Sequence, residues 1–309
     1  MTRIACSPRG FTLIEMIVVI VVTGVISGMV AVFIKGPVDS YFDMARRAEL
    51  SDVADTAVRR MARDIRLALP NSVRNPADGS DQCIEFMPTK SGGRYRADQT
   101  ATLTGDILDF TVTDASFDML GLNSSLPAEA RIAAGDIVVV YNDGSPSGNA
   151  YTGANAIGVA GVCETSAPCP TVVANSTAIT FVGAGATIFA GKLFPSTSPA
   201  NRFQVIPAAE HVVAYVCTGA GTVGGNGTGT LYRHARTLAA AYPTPATCPA
   251  VPAGTPILAR NVSACSLKYE PPGSGSGAGR FGMVSISLTA SQSGEAVNLY
   301  HQVHVDNTP

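Results

Sequence analysis

The chain has 309 residues, a net charge of −2 and only 14% charged residues. That length accommodates one large domain with insertions, and a near-neutral balance without a polybasic run argues against nucleic acid as a partner. The abundance of Gly, Ala, Ser and Thr suits an extracytoplasmic, β-rich domain with long surface loops.

The first recognisable feature is a short polar leader carrying Arg3 and Arg9, which ends at Gly10. An apolar run follows, in which Phe11-Thr12-Leu13-Ile14-Glu15 leads into Met16–Ile34. As a helix, Phe11 to Ile34 would reach about 36 Å, enough to cross a hydrocarbon core of roughly 30 Å. Its many Val and Ile residues make a poor helix in water. In lipid the backbone must pair with itself, and a helix does this most simply. Glu15 stands out, because an ionisable side chain inside a membrane span costs on the order of 2.5–3.5 kcal/mol and calls for a named partner. Snorkelling to the headgroups is the plain alternative. Arg3 and Arg9 place the short end in the cytoplasm by the positive-inside rule, but Lys35, Arg46 and Arg47 follow the span, so charge alone leaves the orientation open.

Gly36-Pro37 is expected to kink or briefly break the helix where it leaves the membrane. Apolar residues then recur at three- and four-residue steps through Leu50, Val53, Ala54, Ala57, Val58, Met61, Ile65 and Ala68, with Arg46, Arg47, Arg59, Arg60, Arg63 and Arg66 mostly on the other faces. The arginine stripe reads either as a solvated face or as a contact surface. Pro70-Asn71 is expected to end this helix.

Beyond Asn71 the period changes to two. Strands are expected at 83–87, 107–113, 136–141, 178–182, 202–206, 211–217, 230–234, 267–269, 283–289 and 296–305. No helical pattern alternates with them, so the sheet should be mostly antiparallel and packed on the exposed half of the helix. Stretches 142–176, 218–229, 243–256 and 271–280 are rich in Gly, Pro, Ser and Thr and read as surface excursions.

Of the seven cysteines, Cys6 lies in the leader. Cys83, Cys163, Cys169, Cys217, Cys248 and Cys265 remain, and their even number in the bulk of the chain suits three disulfides in an oxidising compartment, with fifteen pairings open. Cys163 with Cys169 is the best local pair; Cys217 with Cys248 would close the Gly-rich excursion and leave Cys83 for Cys265. No Cys-x-x-Cys spacing supports a metal site. These cysteines put the bulk of the chain outside the cytoplasm.

Other signals are weak. Gly219-Ala220-Gly221-Thr222-Val223-Gly224 fits Gly-x-Gly-x-x-Gly, but more glycines follow it instead of a helix start, and residues 238 to 250 hold no carboxylate. It reads as a hairpin loop. His301 and His304, three apart in an expected strand, point to opposite faces and do not share a metal. Asp78-Gly79-Ser80-Asp81 and Asn142-Asp143-Gly144 offer oxygen ligands for a structural calcium, yet lack the fuller spacing of a calcium loop and are equally good turns. No cofactor is otherwise expected. Neither Gly-x-Ser-x-Gly nor His-Glu-x-x-His occurs, and no catalytic residues are assigned.

Gly10 followed by Phe-Thr-Leu-Ile-Glu and an apolar helix resembles the N-terminus of type IV prepilins and type II secretion pseudopilins. The resemblance implies cleavage after Gly10 by a membrane-embedded prepilin peptidase, N-methylation of Phe11, and a Glu15 carboxylate that neutralises the Phe11 amine of a neighbouring subunit. It implies an α+β pilin-like fold: leader 1–10, transmembrane helix 11–35, its amphipathic continuation 36–70, and a periplasmic β-rich head 71–309. The partners implied are other major and minor pilins through the helix, the peptidase and an inner-membrane assembly platform, with the N-terminus cytoplasmic and the protein later in the fibre. Such a protein is not an enzyme. Arg202-Phe203, His211–Cys217, Leu231-Tyr232-Arg233 and Leu299–Asn307 further resemble the MshO type of minor pilin of mannose-sensitive haemagglutinin (MSHA) pilus systems. A J-type pseudopilin of type II secretion shares this plan. An anchored periplasmic enzyme behind an ordinary signal sequence is the remaining alternative, although such a signal would be cut after the apolar run and would carry no glutamate within it.

Overall fold

The computed structural model describes residues 10–164, 173–183, 188–273 and 281–309. Among the described residues a single α-helix, α1, covers Leu13–Arg66 and is followed by fifteen strands. In chain order these are β1 (Cys83–Phe86), β2 (Ser91–Arg94), β3 (Ser116–Leu120), β4 (Ile137–Val139), β5 (Ala156–Gly158), β6 (Gly161–Cys163) and β7 (Ser176–Thr180). They continue with β8 (Arg202–Ile206), β9 (Val212–Thr218), β10 (Thr222–Val223), β11 (Asn226–Gly227) and β12 (Gly229–Arg236). Three long strands close the chain: β13 (Ile257–Glu270), β14 (Phe281–Gln292) and β15 (Glu295–Asp306). The result is an α+β fold, one long apolar N-terminal helix followed by antiparallel sheets. The chain divides into two compact units, Met1–Glu49 and Leu50–Pro309.

In the first unit the apolar side chains from Phe11 to Ile34 are exposed on every side of the helix. Thr23 turns its hydroxyl back onto the Val19 carbonyl, so this polar group is satisfied inside the helix. Pro37 lies within α1, and no break is found at Gly36-Pro37. Proline removes one backbone hydrogen bond, and the many intact bonds on either side of it carry the helix through.

In the second unit the helix is amphipathic. Ala54, Ala57, Val58, Met61 and Ile65 are buried against Phe86, Tyr215, Leu231, Leu267, Val284, Ile286 and Leu288. The sheet they meet has the order β1-β9-β12-β13-β14-β15. Alternation is clean along β14, where Val284, Ile286 and Leu288 are buried on the helix side. The helix ends at Arg66 and not at Pro70-Asn71, because the Leu67 carbonyl accepts from Thr89 N–H and Leu69 N–H donates to the Met87 carbonyl. Strand-like pairing claims these residues before the proline does.

Two smaller sheets, β2-β8-β4-β5 and β3-β7-β6, and the two-stranded β10-β11 hairpin make up the rest. Between them lies an aromatic core in which Phe117 meets Phe203 edge-on at 5.3 Å and Phe181 at 5.6 Å. The expected strand at 107–113 is absent and the neighbouring Ser116–Leu120 is a strand instead. Asp109 accepts from the Thr111 amide and hydroxyl, and its own N–H donates to Asp114; these side-chain bonds hold the backbone in turns. Stretch 142–176 is not a surface excursion as a whole: Ala150, Tyr151, Ala156, Ile157 and Val159 in it are buried, and β5 pairs with β4. Ser91-Gly92-Gly93-Arg94, which looks like a turn, is a strand. A Cβ at Gly92 would sit 2.7 Å from the Phe203 carbonyl oxygen, so glycine allows this close pairing with β8.

The cysteine pairing needs correction. Cys83 bonds Cys248 and Cys217 bonds Cys265, in place of Cys217–Cys248 and Cys83–Cys265. The reason is the two-residue period. Cys83 lies directly across from Val216, so its side chain and that of Cys217 point to opposite faces of the sheet. Cys217 faces the helix-side core with Cys265, while Cys83 faces Ala214, Val216 and the 243–256 segment that carries Cys248. Cys163 is also disulfide-bonded. Cys169 lies outside the described residues.

Candidate functional site

Gly10 and Phe11 stand immediately ahead of the helix, both exposed, with Phe11 78% open. Glu15 sits in the first turn of α1. The geometry adds a feature that the resemblance did not supply. Thr12 is the residue before the helix, and its hydroxyl accepts from Glu15 N–H at 3.3 Å while Thr12 N–H points back to the Glu15 carboxylate at 3.5 Å. Thr12-Leu13-Ile14-Glu15 is therefore a capping box, which satisfies otherwise unpaired amides at the start of the helix. The signal, Thr-x-x-Glu before an apolar run, is present in the sequence. A carboxylate so placed also meets the positive end of the helix dipole. It remains exposed to a second cation from outside the chain.

This arrangement puts Gly10, the aromatic Phe11 and the Glu15 carboxylate within six residues at the head of an apolar helix. A prokaryotic N-terminal methylation motif matches residues 7–31. The match supports a type IV pilin-like family. It points to the general role of a type IV pilin or pseudopilin, and α1 is long and apolar enough to cross a membrane once. No curated protein and no solved structure matches the chain.

The head contributes two buried ionic clusters that sequence reasoning missed. Glu85, only 3% exposed, holds Arg74 at 2.7 Å and Arg236 at 2.6 Å. Arg74 stacks 3.5 Å over the Tyr151 ring, and Arg236 lies 4.7 Å over Tyr242. Burial pushes the Tyr151 phenol well above its ordinary range. In the second cluster, Asp64 of α1 accepts from the Tyr215 hydroxyl at 2.6 Å and from Arg233 at 2.9 Å, while Arg233 also forks onto Glu210. Burial, then the adjoining Asp64, raises the Tyr215 phenol, so it stays a donor. Their members are far apart in sequence, and no local pattern announces them. Both clusters are arginines closed by carboxylates, and their visible work is to tie strands and helix together.

The remaining candidates are local structure. Gly219–Gly224 enters the β10–β11 hairpin, with Gly224 and Gly225 at positive φ in its turn. Asp78 accepts from Ser80 N–H, and Asp143 from the Ser145 amide and hydroxyl, as turn acids do. His301 and His304 differ by three positions on β15. His211 is buried, and its Nδ1 accepts from Leu238 N–H at 2.8 Å. No cluster of three or more metal-binding side chains occurs among the described residues.

Proposed function

We propose that this protein is a minor pilin of an MSHA-like type IV pilus, cut after Gly10 by prepilin peptidase and methylated on Phe11. The observation that carries the reading is the Gly10–Phe11 junction standing exposed two residues ahead of an apolar helix whose first turn holds Glu15. Cleavage there frees an amine that lipid solvates poorly. A Glu15 carboxylate of an adjacent subunit has the same difficulty, and side-by-side docking of two helices neutralises both. The head faces the periplasm and then the fibre surface; disulfides at Cys83–Cys248 and Cys217–Cys265 suit that oxidising side. The segments resembling MshO fall on β8, β9, β12 and β15, three of them in the helix-packed sheet. Partners in this reading are neighbouring major and minor pilins, the peptidase and an assembly platform in the inner membrane, with no cofactor required.

Mass spectrometry of the protein isolated from membranes tests this. The expected N-terminus is methylated Phe11, and Gly10→Leu should retain the leader and run larger on a gel. A mature chain starting beyond residue 31 removes the reading. Co-purification with MSHA-type subunits supports the finer assignment, and recovery with type II secretion components instead refutes it.

A further inference from the structure

The two edges of the six-stranded sheet are finished differently. β1 has four residues, and the preceding chain covers it: Arg74 and Glu85 exchange both backbone hydrogen bonds, N–H to O at 2.9 and 3.0 Å. β15, at the other edge, pairs with β14 in unbroken register for twelve residues from Glu295 to Asp306. Roughly half of its backbone N–H and C=O groups point away from β14 by antiparallel geometry. From Ala296 to Asp306 no described segment pairs with them. Proteins usually blunt such an edge with lysine, proline, a bulge or a short strand. β15 contains no lysine or proline, and its register has no bulge.

Beside this edge runs a groove of about 670 Å³ between β15 and one flank of α1, floored by Val58 and Ala62. Arg59, Arg63 and Arg66 line it from the helix and His301 from the strand. Arg59 is neutralised by Asp55 at 2.6 Å. Arg63 and Arg66 make no ion pair with the described residues. On β15 the buried Val303 and Val305 face the helix side, so alternation puts His301 on that side as well.

We infer that this edge and groove form a β-augmentation site for an extended, acidic segment of a neighbouring subunit. Its backbone pairs with β15, and carboxylates on alternate residues reach Arg63 and Arg66. Spacing suits this. Alternate strand residues are roughly 7 Å apart, and helix side chains three positions apart, such as Arg63 and Arg66, leave the helix roughly 5–6 Å from each other. Main-chain pairing supplies affinity and the arginines select the partner's charge. An anionic lipid surface could answer the arginines but offers β15 no donor–acceptor ladder, so the strand partner accounts for both features. That the segment comes from a neighbouring subunit rests on the pilin reading; the site itself does not.

The test uses the full chain in neutral detergent and a fluorescent octapeptide alternating valine and glutamate, with a valine–lysine counterpart and a version N-methylated at alternate amides. The glutamate peptide should bind about tenfold or more tightly than the lysine peptide. It should slow hydrogen exchange at alternate amides of β15, and N-methylation should abolish binding. The double variant Arg63→Glu/Arg66→Glu changes only exposed side chains, so its melting should match the parent, and it should prefer the lysine peptide. Equal binding of both peptides, or binding without protection of β15, overturns the proposal. So does saturation of the edge by a second copy of the chain, seen as concentration-dependent dimers that exclude the peptide, or displacement of the peptide by phosphatidylglycerol. Cleavage after Gly10 plays no part here, so an uncut N-terminus sinks the pilin reading and leaves the peptide result standing.

Discussion

The two parts of α1 are made for different surroundings. From Leu13 to Ile34 the helix is apolar all round and its large side chains are exposed; from Leu50 to Arg66 one stripe is buried and the rest is charged. Side-chain choice differs accordingly. The first part uses β-branched Val and Ile, which gain nothing from a particular face. The second places Ala54, Ala57 and Met61, none more than 1% exposed, where the sheet approaches closely. A helix face with one fixed partner needs complementary shape, whereas a segment bathed in lipid needs only apolarity. Substitutions in the two parts should therefore be read out by different experiments.

The largest effect on head unfolding is expected for Met61→Ala. Met61 is fully buried between helix and sheet, and truncation should cost about 2–5 kcal/mol in denaturant midpoint analysis. Val19→Ala, in the exposed apolar stretch, should leave that midpoint unchanged. Equal losses from both would end the distinction. Next is Asp64→Ala, which strips Tyr215 of its acceptor and leaves Arg233 with Glu210 alone; about 1–3 kcal/mol should be lost. Asp64→Asn, retaining an acceptor for the Tyr215 hydroxyl, should recover part of it.

How legible these parts were in the sequence follows from how local their causes are. The apolar span, Glu15 and the Leu50–Ile65 periodicity are local patterns and were readable. So were most of the strands. β13 was seen only at its end, because Asn261 at φ 57° and a register shift between Val262 and Ala264 break its alternation. Disulfide pairing is not local: loop closure favours Cys217 with Cys248, but Cys83 and Cys217 belong to opposite sides of β1 and β9, and only the strand register shows it. The Glu85 and Asp64 clusters join residues up to 169 positions apart, as in Arg233 to Asp64, and only the folded sheet brings them together.

A smaller effect should appear with pH, and only in the head. Burial holds the His211 imidazole below its ordinary range against the opposing pull of Asp136, and its Nδ1 already accepts from Leu238 N–H. The unfolded chain therefore takes up the proton first, near pH 6.5. Above that pH both states are neutral and the stability is fully present. As pH falls from about 6.5 through the lower folded value, stability should decline. Denaturant titrations between pH 7 and pH 5 check this, and His211→Gln, which keeps an acceptor without a titrating ring, should flatten the slope. An unchanged slope would assign the acid sensitivity elsewhere.

Smallest of all on head stability, and most informative about the first part of the helix, is Glu15→Ala. Its contacts to Thr12 are made at the head of α1, in a unit that ends at Glu49, so the melting of the head should not move. Membrane insertion and cleavage after Gly10 should likewise persist, since removing a charge eases insertion. On the proposed pilin reading, incorporation beside neighbouring subunits should fall, because the N-terminal amine of the adjoining subunit would then have no anion to meet. Losing the capping box alone would weaken the first helical turn without regard to charge, and this separates the two roles of the side chain. Glu15→Gln restores a capping acceptor but no anion. If it enters fibres normally, the carboxylate acts only as a cap and the charge-pairing role is lost; if it fails as alanine does, the charge is what the neighbouring subunit requires.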